Sequence, residues 1–175
     1  MHRYPVGRPR DLHSAVTDSQ VSDATVRPID ITSQEALSVI ELELVANDFA
    51  LDGSNERAAN QKAYLKSDLD FFGVSVPVVR AALKRETKQY PVLERPVLLQ
   101  LSNDCFEWPY FEMQLFGVLL LGQYSDLLEP KDLGMLEGLV RRCETWALVD
   151  PLTRPGSELV DRGMPEAGPI LDRWS

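Results

Sequence analysis

Ala63 to Lys84 reads AYLKSDLDFFGVSVPVVRAALK, and the reading of this stretch decides the fold. It holds the one strand-like run of the chain, Val74 to Val79. Pro77 sits inside that run, where it could not donate to a sheet ladder. The same proline suits the first turn of a helix, because the N–H it lacks would have no partner there anyway. Ser75 then reads as an N-cap, with Val78, Ala81, Ala82 and Leu83 inside the helix that follows. Just before it, Phe71-Phe72-Gly73-Val74 reads as a turn, with Gly73 supplying a backbone that a side chain would crowd. With its best strand candidate read as a helix start, the chain has no segment that alternates for long with a period of two. The prediction is an all-α fold.

Outward from that stretch the helical signals repeat. Ser33 reads as the cap of a helix carrying Ala36, Leu37, Ile40, Leu44 and Val45, stopped by Asp52-Gly53. A second helix runs from about Asn55 through Ala59, Ala63 and Tyr64 to a last turn near Leu69. Another follows Pro91 with Val97, Leu98 and Leu101. Glu107 to Leu121 reads as a strongly amphipathic helix starting around Pro109. Asp126 to Cys143 gives one more, with Pro130 near its start and Leu133, Leu136, Leu139 and Val140 as its stripe. Thr145 caps the next segment, and Glu158 to Val160 and Glu166 to Trp174 read as shorter pieces. Short helix pairs joined by tight turns suit an α-solenoid or an irregular bundle. Residues 1–32 carry scattered charges with no apolar period and read as a disordered or loosely packed tail, which leaves 33–175 as the helical domain.

At 175 residues the chain is long enough for one domain with a real core. Its formal net charge of −9 speaks against nucleic-acid binding by the whole surface, though not against a local basic groove. The longest apolar run, Leu115 to Gly122, is far too short to span a bilayer, and no apolar h-region follows Arg3, Arg8 and Arg10. Cys105 and Cys143 are too few and too far apart for a disulfide framework or a zinc site, and read as thiols of a cytoplasmic protein. His2 and His13 lie in the tail and support neither a metal nor a catalytic triad, and no phosphate-binding glycine loop or nucleophile elbow is present.

The chemistry concentrates in TWALVD, Thr145 to Asp150. Trp146 and Asp150 are spaced to share one face of a helix, which would set a flat ring beside a fixed negative charge. Such a pair suits a cationic, planar or sugar-like target. Each residue also has a plainer reading. A lone Trp on an amphipathic helix is more often core, and Asp before Pro151 is a common N-cap. The basic residues Lys62, Lys66, Arg80, Lys84, Arg85 and Lys88 gather in one stretch and are candidates for phosphate contacts, or simply a solvated face.

Ala63 to Lys84 resembles the DNA alkylation repair family, the HEAT-like-repeat alkylpurine DNA glycosylases, in its order of Tyr, Lys, aromatic-rich turn, Gly, Pro and Arg. TWALVD resembles that family's Trp-x-x-x-Asp signature, and LDRWS, Leu171 to Ser175, the segment before its next motif. The resemblance implies an α-solenoid of HEAT-like antiparallel helix pairs whose concave face takes duplex DNA. It implies hydrolysis of the N-glycosidic bond of cationic N3- or N7-alkylated purines, without metal or other cofactor. By position, Trp146 and Asp150 correspond to the catalytic pair and Tyr64 to a contact at the lesion. Lys66, Arg80 and Lys84 are then the candidate contacts to the DNA backbone. The family's catalytic Arg would lie beyond Ser175, so the chain reads as truncated, weak or inactive alone, and prone to self-association through Leu171 and Trp174. Ala147 and Pro151 depart from the family pattern, and Pro151, if helical, removes a backbone hydrogen bond. The alternative reading is a non-catalytic helical-repeat module that binds DNA or a protein partner.

Overall fold

Prolines mark where several helices begin. The computed structural model of the protein describes residues 40–163 and 168–169. Its α-helices are α1 (Leu42–Asp52), α2 (Asn55–Leu65), α3 (Val76–Gln89), α4 (Arg95–Cys105), α5 (Phe111–Gln123), α6 (Leu133–Arg142), α7 (Trp146–Val149) and α8 (Thr153–Arg162). Short 3-10 turns occupy Ser125–Leu127, Pro130–Asp132 and Asp150–Leu152. Pro77 and Pro96 lie in the first turns of α3 and α4, and Pro130 and Pro151 in those of two 3-10 turns. Val76 to Val79 is therefore helical, as Pro77 requires. The fold is all-α, of the helical-repeat kind. The β pairing found among the described residues is one isolated bridge between Asp70 and Tyr110. No helix among them is long and apolar enough to cross a membrane. The expected tail, Ser33 itself and most of Glu166 to Trp174 lie outside the described residues, but the helix expected from Ser33 through Ile40 begins only at Leu42, because Glu41 is extended at its N-cap position.

The centre of the core is α5. It was expected to be amphipathic, but it is apolar nearly all round and buried nearly all round, from Phe111 to Val118 and again at Leu120 and Leu121. A helix with this composition belongs inside, not at a boundary. It packs most extensively on α4 and next on α3. The short connection from Cys105 to Phe111 makes α4 and α5 an antiparallel pair. Gly117 permits their close approach, since a Cβ there would fall 2.6 Å from the Cβ of Cys105. Cys105 is fully buried behind it, and loss of water pushes its thiol pKa well up. Cys143, half-buried at the end of α6, donates to the Leu139 carbonyl at 3.3 Å, and burial pushes its pKa up to about 11.

Two arginines tie the later helices to the earlier ones. Arg95, at the start of α4, grips the buried Asp132 carboxylate with Nε (2.9 Å to Oδ2) and Nη2. Asp132 Oδ2 also accepts from the Glu129 N–H at 2.8 Å. Arg162, in the last turn of α8, donates to the carbonyls of Ser125 at 3.3 Å and Leu128 at 3.1 Å, and the Ser125 carbonyl also accepts the Leu128 N–H that closes the 3-10 turn. α8 is longer than the Glu158 to Val160 piece expected, because Thr153 to Arg162 continues the helical backbone straight out of the Asp150–Leu152 turn.

Candidate functional site

α2 is a helix without a buried residue. Its side chains dock it by hydrogen bonds instead. Arg57 Nη1 donates to the Gly73 carbonyl at 2.9 Å, Gln61 Nε2 to Val74 at 2.8 Å and Lys62 Nζ to Asp68 at 3.1 Å. All three acceptors belong to the segment 66–74, which therefore serves as the seat of α2. The helix stops at Leu65, short of the end expected near Leu69, because Lys66 turns left-handed at φ 51° and its N–H bonds back to the Lys62 carbonyl.

The seat is held from several sides. Glu112, buried near the start of α5, accepts from the N–H groups of Phe72 (3.0 Å), Gly73 (2.8 Å) and Val74 (3.2 Å). Burial pushes the Glu112 pKa up, and the backbone donors oppose that shift. Gly73 has φ 81°, and a Cβ there would meet the Ser54 carbonyl oxygen at 2.1 Å, so the turn expected at Phe71 to Val74 does depend on glycine. Asp70 exchanges main-chain bonds with Pro109 and Phe111 at 2.8 and 2.9 Å. Phe72 stacks on Tyr110 with centroids 3.9 Å apart, and Phe71 on Phe111 at 5.1 Å. Glu144, from the α6–α7 connection, accepts at Oε2 from the Ser67 hydroxyl (3.3 Å) and the Asp68 N–H (3.2 Å).

α7 follows directly. Thr145 caps it, its hydroxyl accepting from the Ala147 N–H at 3.4 Å. Leu148 fills the inward position and is fully buried. Trp146 is 56 % exposed, so it is not packed away among Leu136, Leu139 and Leu152. The Asp150 N–H closes one α-turn onto the Trp146 carbonyl, which sets the two residues on one face. Asp150 is helical rather than an N-cap. Pro151 is accommodated by a switch to 3-10 geometry over Asp150–Leu152, and the Thr153 hydroxyl bonds the Asp150 carbonyl at 2.7 Å. Among the described residues the Asp150 carboxylate takes no hydrogen bond or ion pair.

The fold brings two of the expected residues into contact. Tyr64, 73 % exposed on the last turn of α2, meets Trp146 edge-to-face with ring centroids 6.4 Å apart. The basic cluster divides. Lys62 reaches Asp70 at 3.7 Å as well as the Asp68 carbonyl, and Arg85 pairs with Asp48 and Glu86. Lys66, Arg80 and Lys84 are exposed and make no ion pair among the described residues. Arg80 and Lys84 share a face of α3 by their spacing. Among the described residues no hydrogen bond, ion pair or ring contact joins their side chains to the Tyr64–Trp146 pair. The site is an open surface: a cleft of about 670 Å³ lies between α6 and α8, but Tyr64, Trp146 and Asp150 do not line it. Among the described residues no group of three His, Cys, Asp or Glu is placed to hold a metal ion.

The sequence model of the DNA alkylation repair enzyme family matches residues 45–175, well over half of the chain. This chain belongs to the DNA alkylation repair enzyme family. The match takes in α2, the segment 66–74 and α7 together. No curated protein matches the chain at a significant level. Glu112 and Glu144, which fix the segment 66–74, belong to no motif that the sequence displays. Glu112 had one visible signal, an acid in the otherwise apolar run FEMQLFGVLLL.

Proposed function

We propose that the protein binds duplex DNA at cationic N3- or N7-alkylated purines and hydrolyses the N-glycosidic bond, with Trp146 and Asp150 as the catalytic pair. One observation carries the reading. An exposed tryptophan, with an unpaired carboxylate one turn away, meets an exposed tyrosine from a distant part of the chain. Exposed apolar surface points to binding when it is contiguous, and here two exposed rings are in contact with each other.

The reaction needs little from the protein beyond charge and position. An alkylated purine already carries a positive charge, so when the bond from sugar C1′ breaks, the electron pair neutralises the leaving base. The sugar takes on oxocarbenium character, as in glycoside hydrolysis. The Asp150 carboxylate stabilises that developing charge and orients the water that adds to C1′, whose proton then passes to the carboxylate or to solvent. Trp146 packs on the deoxyribose and sheds water from one side, and Tyr64 contacts the nucleotide at the lesion. Lys66, Arg80 and Lys84 reach phosphates, which gives binding a steep salt dependence.

The test is release of methylated purines from duplex DNA. Asp150→Asn should lower the single-turnover rate by about 10²–10³-fold, the usual effect of removing one electrostatic stabiliser. Its melting temperature should stay close to wild type, since the side chain is exposed. Equal rates for the two proteins would remove Asp150 from the mechanism. The formal net charge of −9 favours a second reading, a non-catalytic module that binds a protein or DNA. Absence of base release together with absence of DNA binding at low salt would leave a protein partner as the better answer.

A further inference from the structure

Trp146 and Tyr64 are far apart in sequence, and each sits on an element with little core of its own. α2 has no buried residue, and α7 fully buries Leu148, with Ala147 packed partly against the core. Their rings meet at 6.4 Å, so something must fix the two elements relative to each other. Among the described residues, Glu144 makes the hydrogen bonds that cross between them. Its Oε2 takes the Ser67 hydroxyl and the Asp68 N–H, immediately after the end of α2. Its own backbone lies directly before Thr145, the cap of α7. The Ser67 hydroxyl is in turn the acceptor for the Leu69 N–H at 3.2 Å, so the strap ends on an ordered turn. The other carboxylate on the segment, Glu112, holds Phe72 to Val74 from inside the core and does not reach α7.

We infer that Glu144 is a positioning residue for the Trp146 site, strapping the α7 turn to the end of α2 so that the Tyr64 and Trp146 rings present one preformed surface to the substrate. This rests on the proposed glycosylase reading for its catalytic consequence, but its structural content stands apart from it. Glu144 need not touch the substrate. It fixes the angle at which two exposed rings and the Asp150 carboxylate meet a nucleotide, and misplacement by about 1 Å is enough to cost a large part of a rate.

The variants are Glu144→Ala and Glu144→Gln. Both hydrogen bonds end on one oxygen, so the amide oxygen of Glu144→Gln can accept both and should preserve the strap. Nuclear Overhauser contacts between the Tyr64 and Trp146 rings report the pairing directly. They should persist in wild type and Glu144→Gln, and weaken or vanish in Glu144→Ala. The single-turnover rate of base release should fall roughly five- to tenfold in Glu144→Ala, on the scale of one or two charge-assisted hydrogen bonds, and recover in Glu144→Gln. Ring contacts and rate unchanged in Glu144→Ala would overturn the assignment. So would a Glu144→Gln protein that behaves like Glu144→Ala, since the strap would then not be a matter of hydrogen-bond acceptance. If wild type releases no base, the glycosylase reading fails and the ring contacts alone decide the role of Glu144.

Discussion

α5 and α7 use similar side chains to opposite ends. α5 spends Phe111, Met113, Phe116 and Leu120 on the core and exposes almost nothing. α7 is a single turn that buries one leucine and leaves its largest side chain in solvent. Much of the stability of a helix in a folded protein comes from burying a face, and a turn as short as α7 would not persist by itself. It persists because a threonine caps its start, a 3-10 turn continues its end, and Leu148 is driven in between neighbours. The contrast shows how a helical-repeat protein separates its labours. The interior supplies rigidity, and a turn that contributes little to the interior is free to carry chemistry.

The comparison can be broken most easily by truncating one aromatic on each side of it. Phe116→Ala, in the middle of α5, should cost about 3–5 kcal/mol of stability, the usual range for a buried aromatic. Trp146→Ala should cost under about 1 kcal/mol and abolish most base release. Urea unfolding of both variants checks this pair, and a large loss from Trp146→Ala would place that ring with the core after all.

Glu112 sharpens the same contrast, because it is a core residue in the service of the surface. Glu112→Ala strands three backbone N–H groups and should cost at least about 1–3 kcal/mol. It also bears on pH. Burial holds the folded-state pKa of Glu112 above the ordinary carboxylate value. The folded protein therefore binds this proton more readily than the unfolded chain. The stabilising contribution is full below the unfolded pKa and is lost as pH rises through the folded one. The Glu112 share of the stability should decline across that window, so the pH profiles of wild type and Glu112→Ala should differ by that slope in denaturant titrations at a series of pH values.

The smallest expected effect is at Lys66. A left-handed non-glycine residue costs roughly 1 kcal/mol. Lys66→Gly should therefore stabilise the protein by up to about that amount while weakening binding to DNA and flattening its salt dependence by one phosphate contact. A thermal melt and a binding titration at two salt concentrations separate the two effects.

Local signals were legible in the sequence wherever a backbone rule acts within a few residues. Asp52-Gly53 stops α1, Ser75 and Pro77 open α3, Gly73 makes the turn before it and Thr145 caps α7. Errors arose where the environment decides. Periodicity suggested a solvated face for α5, yet Glu112 and Gln114 are buried, because their partners are main-chain groups of other segments. The sequence carries the α2 pattern on to Leu69, past its true end at Leu65, because no residue type announces that a lysine will turn left-handed. The meeting of Tyr64 with Trp146 is not readable from spacing at all, and resemblance to the family names the two residues only separately. Glu144 carries no pattern that would separate it from any exposed acid, since its meaning depends on a hydroxyl and an N–H remote in sequence.

The two sulfurs, one buried and one half-buried, bear on the conditions under which such a protein works. Agents that alkylate purines are electrophiles, and at cysteine they attack the thiolate, not the thiol. Cys105 is sealed behind Gly117, and the pKa of Cys143 stands at about 11 while its hydrogen is shared with a helix carbonyl. At neutral pH both are held as thiols. Packing that brings α4 and α5 close together thus also shields Cys105 from the class of chemicals whose damage to DNA its family repairs.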